Sequence, residues 1–388
     1  MDADRWMLPA GVEELLPEQA RNVEALRRQL LDLYASWGYQ FVIPPLIEFT
    51  ESLLVGLGKD IDLLTFRVTD QLSGRTLGLR ADITPQAARI DAHSLREEGV
   101  VRLCYAGSVL HTKPKAPLAS RSPIQLGAEL YGDSGTAGDL EIISLMLQTL
   151  HTAGLSNITL DLGHVGIYRA VVSHCELPAG FEATFLDALQ RKAATELHTL
   201  IDGVDLAPPK KALLKGLSQL QGDSAVLAEG RRLFAELPEA LEAIAELEYL
   251  QDQVSKRMPS VRFYFDLAEL EGYHYHTGAV FSALVPECGQ ALAAGGRYDD
   301  IGAAFGRSRP ATGFSIDLKA LLGLMPAVEA ADAILAPASD DPELWQQIQS
   351  LRAQGETVVS ALSANPNELS VPCTRKLSNQ DGQWVVTA

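Results

Sequence analysis

Apolar positions change period several times along the chain, and each change marks an element. Across 18–37, Ala20, Val23, Leu26, Leu30, Leu33, Tyr34 and Trp37 recur at helical spacing, and Gly38 supplies a stop. The run Tyr39–Ile43 reads as a strand closed by Pro44 and Pro45. Thr65–Thr69 and Thr76–Leu79 read as two strands joined by a turn near Ser73 and Gly74. Thr84 before Pro85 predicts a helix with Thr84 at its N-cap, running to about Glu97. Two long strands follow, Val101–Leu110 and Ile124–Tyr131, then a helix near 137–153 and a strand at 157–163. Residues 180–258, rich in Ala, Leu and Glu at helical spacing, read as a helical insertion. Strand character returns at Val261–Leu267, Thr277–Leu284, Gln290–Ala294 and Ala311–Ile316, with Gly295–Tyr298 as a turn and 317–324 as a closing helix. The remainder reads strand (333–336), helix (342–354), strand (357–360), then weak strands near 375–377 and 384–386.

Consecutive long strands, with helices gathered between groups of them, predict an antiparallel sheet flanked by helices in an α+β fold. The expected organisation is one large domain, 1–325, carrying the insertion at 180–258, followed by a small C-terminal α/β module at 326–388. Lys and Arg total 32 against 50 Asp and Glu, a net charge of −18, which argues against a polyanion as the main partner. The locally basic stretch is His111–Ser122, with Lys113, Lys115 and Arg121. Four Cys at 104, 175, 288 and 373 form no CxxC pair, so reduced thiols in a cytoplasmic protein are expected. The opening residues lack the apolar core of a signal peptide, and no apolar run is long enough for a membrane span.

No Walker A loop, GxSxG, HExxH or GxGxxG is present. The candidate chemistry is distributed. Asp82 and Thr84 stand at a strand-to-helix junction, where they either line a polar pocket or simply cap and face water. Gln125, Gly127 and Glu129 alternate, so they share one strand face opposite Leu126, Ala128 and Leu130; that face is either a pocket floor or an open sheet surface. His274 and His276 share a face if Gly272–Gly278 is extended, and rings lining a small-molecule pocket are the better reading than a metal site, because no third ligand lies nearby in sequence.

These runs resemble class II aminoacyl-tRNA synthetases, and histidyl-tRNA synthetases in particular, over about residues 5–325. Gly38–Pro45 with Glu48 is similar to motif 1, the dimer-forming element. Leu79–Thr84 is similar to the family's LRPEGT segment, and Cys104–Gly132 to motif 2 and its QLGCE extension. Gly272–Gly278 is similar to GLDYY, and Ala294–Asp299 to GGRYD. The resemblance implies a histidine pocket formed by Asp82, Thr84, Gln125, Glu129, Tyr275 and His276, with Arg121 as a candidate cation for the ligand carboxylate. It also exposes departures. The motif 2 arginine that grips ATP is His111 and its acidic partner is Lys113; the catalytic arginine before GLDYY is Glu271; the motif 3 arginine is Ala320. Each lost cation costs several kcal/mol of transition-state stabilisation, a factor of about 10²–10³.

A histidine pocket without activation chemistry implies a sensor. The runs RADITPQ, RSPIQLGAELYG and GYHYHTG are similar to the synthetase-derived regulatory subunits of short-form ATP phosphoribosyltransferase. That resemblance implies a non-catalytic chain with no cofactor and histidine as allosteric ligand. The implied partner is the short-form catalytic subunit of ATP phosphoribosyltransferase, in a hetero-octamer with a self-dimer through motif 1, and without tRNA or membrane. The competing expectation is a divergent enzyme that still adenylates histidine.

Overall fold

A computed structural model describes residues 6–54, 59–115, 119–270, 272–273, 275–325, 332–362 and 371–387. The chain divides into two compact units, Met1–Pro326 and Ala327–Ala388.

The strands of the first unit are β1 (Gln40–Phe41), β2 (Ile47–Phe49), β3 (Phe66–Thr69), β4 (Thr76–Leu79), β5 (Val101–Ser108), β6 (Ile124–Tyr131), β7 (Thr159–His164), β8 (Gln221–Gly222), β9 (Arg262–Asp266), β10 (Ala279–Leu284), β11 (Ala293–Arg297) and β12 (Ala311–Asp317). Nine of them form one sheet in the order β1-β5-β6-β12-β11-β10-β7-β9-β8, while β2-β4-β3 form a small second sheet. The β5-to-β7 body of the large sheet is antiparallel, and parallel pairs occur only towards its ends, β1 with β5 and β7 with β9.

The alternation along β6 decides which layer covers which face. Leu126, Ala128 and Leu130 join the main core, together with Val23, Leu26, Leu30 and Tyr34 of helix Pro17–Ser36 and Ile142 to Leu150 of helix Thr136–Thr152. Each such fully buried side chain contributes about 1.5–3 kcal/mol. The opposite face carries Gln125, Gly127 and Glu129 and is met by the start of helix Thr84–Arg89, where Ile83 and Ala87 pack on Tyr105 and Val109. The 180–258 segment is built of five helices, Ala179–Gln190, Ala194–Gly203, Pro208–Leu217, Ala225–Leu233 and Pro238–Arg257, joined by short connections, with the two-residue strand β8 pairing with β9.

Four expectations are corrected. Ile83, not Thr84, is the N-cap, because the Thr84 hydroxyl is engaged by Tyr105; Pro85 is the second helical residue. The helix does not run evenly to Glu97: it passes into a π-helix at Ile90–Leu95 and ends at Arg96 in the left-handed region. Residues 272, 273 and 275 are turn and 276–277 irregular rather than strand, so His276 is presented by a loop; His274 lies outside the described residues. Gly295 and Gly296 sit inside β11 instead of a turn, paired with both β10 and β12, and glycine fits there because a Cβ would strike the Gly313 carbonyl or come within 2.7 Å of the His276 ring.

In the second unit, β13 (Ala333–Ala336), β14 (Val358–Ser360), β15 (Cys373–Gln380) and β16 (Gln383–Thr387) form a sheet in the order β14-β13-β15-β16. Helix Pro342–Ala353 packs Leu344, Ile348 and Leu351 against Ile334, Val358 and Leu377. Asp341 accepts from Glu343 N at 2.9 Å as N-cap and from Trp384 Nε1 at 2.7 Å. The two weak strands are a full hairpin. Its turn is Asp381-Gly382, both at positive φ, the dipeptide that suits a tight two-residue hairpin turn.

Candidate ligand-binding site

Strand register brings the predicted polar residues together. Gln125 sits opposite Gly107, Gly127 opposite Tyr105, and Glu129 opposite both Leu103 and Gly313. Gln125 donates from Nε2 to Asp82 Oδ1 at 2.9 Å and accepts from Ile83 N at 2.9 Å, which pins the start of helix Thr84–Arg89 to the sheet. Asp82 Oδ1 also accepts from Thr84 N at 2.9 Å. Tyr105 donates to Glu129 Oε1 at 2.9 Å, and its oxygen lies 2.9 Å from Thr84 Oγ1. With the tyrosine proton committed to Glu129, Thr84 is the donor in that second bond, and the chain of polarity runs Thr84 to Tyr105 to Glu129. Asp82 and Thr84 are half-buried; Gln125 and Glu129 are buried.

Glycines make this floor possible. A Cβ at Gly127 would collide with the Tyr105 ring and hydroxyl, and one at Gly313 with Glu129 Oε2 and the Tyr298 hydroxyl. Tyr275 stacks on Tyr298 with ring centroids 4.9 Å apart, and His276 meets the Tyr275 ring edge-on at 5.3 Å. His276 Nδ1 lies 3.3 Å from the Arg297 carbonyl, so Nδ1 carries the proton and Nε2 is the free acceptor. Burial lowers the His276 pKa to about 4, so this ring is neutral at physiological pH. Arg297 stays buried by bonding Asp139 at 3.0 Å and the carbonyls of Asp133 and Gly135 at 2.8 Å each.

Tyr105 and Tyr298 escape the sequence reading. Alternation in the β5 run, where Tyr105 shares the face of Leu103 and Gly107, is the signal for the first. For the second it is position just after a glycine pair, although contact with Glu129 is a matter of register alone.

Burial first, and then the nearby Asp82 charge, push the Glu129 carboxyl well above the usual range, while its bonds to Tyr105 and Thr84 oppose the shift. Among the described residues, no Lys or Arg makes an ion pair with Asp82 or Glu129. Arg121 donates to the carbonyls of His111 at 3.0 Å and Ala10 at 2.9 Å and lies over the Phe66 ring, so it holds the N-terminal segment against the 111–122 connection. Among the described residues, its guanidinium makes no hydrogen bond to the other six predicted residues.

The degenerate positions have found other partners. His111 is buried, with Nε2 at 2.9 Å from the Ala81 carbonyl, and burial followed by the Lys115 charge lowers its pKa, so it is neutral. Lys113 is exposed, and Ala320 packs against the main core. Glu271 lies outside the described residues. The cation beside Ala320, Lys319, is tied to Glu13 at 3.5 Å and Ser122 at 3.1 Å.

A model of the histidyl-tRNA synthetase family matches residues 11–321, and one of the ATP phosphoribosyltransferase subunit HisZ C-terminal domain matches 331–387. An ATP phosphoribosyltransferase regulatory subunit from Stutzerimonas stutzeri is 54% identical, covering 99% of this chain and 98% of the relative. One of the same description from Pseudomonas aeruginosa is 53% identical with the same coverage. Among solved structures, an ATP phosphoribosyltransferase regulatory subunit/histidyl-tRNA synthetase from Bacillus halodurans superposes with a TM-score of 0.83 at 28% identity over 95% of this chain and 94% of that one. A histidyl-tRNA synthetase from Nostoc, at 19% identity and a TM-score of 0.77 over 93% of this chain and 86% of that one, shares the fold. End-to-end identity above half, joined to a synthetase-type body and the C-terminal module, establishes that the chain belongs to the family of ATP phosphoribosyltransferase regulatory subunits.

Proposed function

We propose that this chain is the non-catalytic regulatory subunit of a short-form ATP phosphoribosyltransferase. It serves the first step of histidine biosynthesis in the cytoplasm, activates the catalytic subunit and carries feedback inhibition by histidine bound at Asp82, Thr84, Gln125, Glu129, Tyr275 and His276. The observation that carries this reading is a division within one site. The polar pocket is held by hydrogen bonds that run from Asp82 through Thr84 and Tyr105 to Glu129, yet the motif 2 arginine position holds a buried neutral imidazole bonded to the Ala81 carbonyl. A triphosphate needs cations there; an amino acid needs only the donors and acceptors that remain. No bound cofactor is required.

The partner is the catalytic subunit, in a hetero-octamer. The regulatory chains pair through the motif 1 region, where Phe41, Ile43, Leu46 and Ile47 are exposed together. The net charge of −18 disfavours tRNA. Among the described residues, no helix is long and apolar enough to cross a membrane.

The test is phosphoribosyl-ATP synthesis by the short-form catalytic subunit, with and without this chain and titrated with histidine. Stimulation reversed by histidine is expected. Unchanged activity, or histidine- and ATP-dependent pyrophosphate exchange by this chain alone, would overturn the reading in favour of an adenylating enzyme.

A further inference from the structure

Among the described residues, no cation makes an ion pair with the buried carboxyl of Glu129. It is buried to 1% exposure. Tyr105 on β5 donates to Oε1; Oε2 has no partner and lies against Gly313 of β12. Among the described residues, the other titratable groups facing it are Asp82 and the hydroxyls of Tyr131, Tyr275 and Tyr298. Every one is neutral or negative. An ionised carboxylate in that position has only hydroxyls to stabilise it, Tyr105 bonded to it and Thr84 beside it, and a like-charged neighbour, which is the arrangement that keeps a carboxylic acid protonated. Since the Tyr105 proton already occupies Oε1, the acid proton belongs on Oε2.

Resting on the histidine pocket proposed above, we propose that Glu129 works as a neutral acid whose Oε2–H donates to the bare ring nitrogen of the ligand, so that the site selects the neutral imidazole form of histidine over the imidazolium. The upward shift of its carboxyl on burial agrees with this role. With Nδ1 on the Arg297 carbonyl, His276 keeps Nε2 as an acceptor, and in this proposal that atom takes the ligand's ring N–H. Donor and acceptor then match a neutral imidazole, which has one of each. An imidazolium, with two donors, leaves the Glu129 proton opposed to an N–H.

The consequence is a pH dependence set by the ligand. A free histidine side chain titrates near pH 6.5. Between about pH 7 and 8 both partners are already neutral, so affinity is flat and no net proton moves. Below about 6.5 the ligand must lose its proton to bind, and affinity falls up to about tenfold per pH unit.

Isothermal titration of histidine into the complex of this chain with its catalytic subunit tests this, at pH 7.5 and 6.0 in two buffers of different ionisation enthalpy. The expected result is no buffer dependence at pH 7.5 and release of more than half a proton at pH 6.0. Glu129→Gln, whose amide imitates the neutral acid, should retain binding within about tenfold, whereas Glu129→Ala should lose more than about a hundredfold. Proton uptake at pH 7.5, affinity unchanged or stronger at pH 6.0, or a folded Glu129→Gln chain as weak as Glu129→Ala would overturn the assignment. Absence of any histidine heat with the unaltered chain at either pH would instead overturn the pocket itself.

Discussion

At the scale of single residues, the site depends on side chains that are missing as much as on those present. Gly313 leaves room for Glu129 Oε2 and the Tyr298 hydroxyl, so Gly313→Ala places a methyl group where the carboxyl stands. We expect the variant to fold with a loss of about 1–3 kcal/mol, the usual range for overpacking, and to lose histidine inhibition while still stimulating the catalytic subunit. Inhibition curves with and without the substitution check this. A second buried acid, Asp161 on β7, has a different meaning. Burial, then Glu269 and Asp266, raise its pKa to about 7, against the opposing charge of Lys192. Its folded-state value exceeds the unfolded one near 3.8, so the folded chain holds an extra proton between about pH 4 and 7. That contribution is complete below about pH 4 and is lost as pH rises through 7. Asp161→Asn should therefore leave urea stability nearly unchanged at about pH 3 and raise it progressively above about pH 4, most at pH 8. Equal stabilities of the two chains at pH 8 would refute the assignment.

At the scale of elements, buried and exposed ion pairs separate by magnitude. Arg297 at the end of β11 and Asp139 in helix Thr136–Thr152 lie 3.0 Å apart with side chains 7% and 1% exposed. Removing the arginine strands a buried carboxylate, at a cost of about 3–5 kcal/mol. The backbone carbonyl that orients His276 is kept in Arg297→Met, so the variant should lower the thermal midpoint far more than it lowers histidine affinity. Arg28→Ala, breaking an exposed pair with Glu24, should cost no more than about 0.5 kcal/mol. Denaturation of the two variants side by side decides whether burial is the cause. Element boundaries follow the same physics. Helix Pro17–Ser36 was legible because its burial period lies within the segment. The π-helical turn at Ile90–Leu95 was not; beside it, Asp91 pairs across 218 residues with Arg309 at 3.2 Å, a partner no local pattern reveals.

At the scale of the whole molecule, the strongest unpaired surface is the edge at β1 and β2. Phe41, Ile43, Leu46 and Ile47 are between 43% and 81% exposed, and β1 is the outer strand of the large sheet. Apolar edges of that kind call for a covering partner. If the proposed self-dimer forms at this edge, Ile43→Asp should lower the sedimentation coefficient towards the monomer value while leaving circular dichroism unchanged; an unaltered coefficient would overturn that assignment. The acidic net charge belongs to this scale too, because it disfavours polyanions through the summed field rather than through any one contact.

The amino-acid sequence by itself determined the order of elements, the α+β class, the inward and outward faces of β6 and the identity of the residues that replace the synthetase cations. All of these rest on local periodicity or on side-chain chemistry, which the linear chain carries in full. Tertiary structure alone decided that Tyr105 and Tyr298 belong to the pocket, that Arg121 binds backbone carbonyls at the N-terminal segment, and that Gly295 and Gly296 are strand rather than turn. Each of those depends on register between strands or on contact across more than a hundred residues. A shift of one residue in β12 would turn Gly313 away from Glu129 and close the site, and no period within β12 itself sets that register.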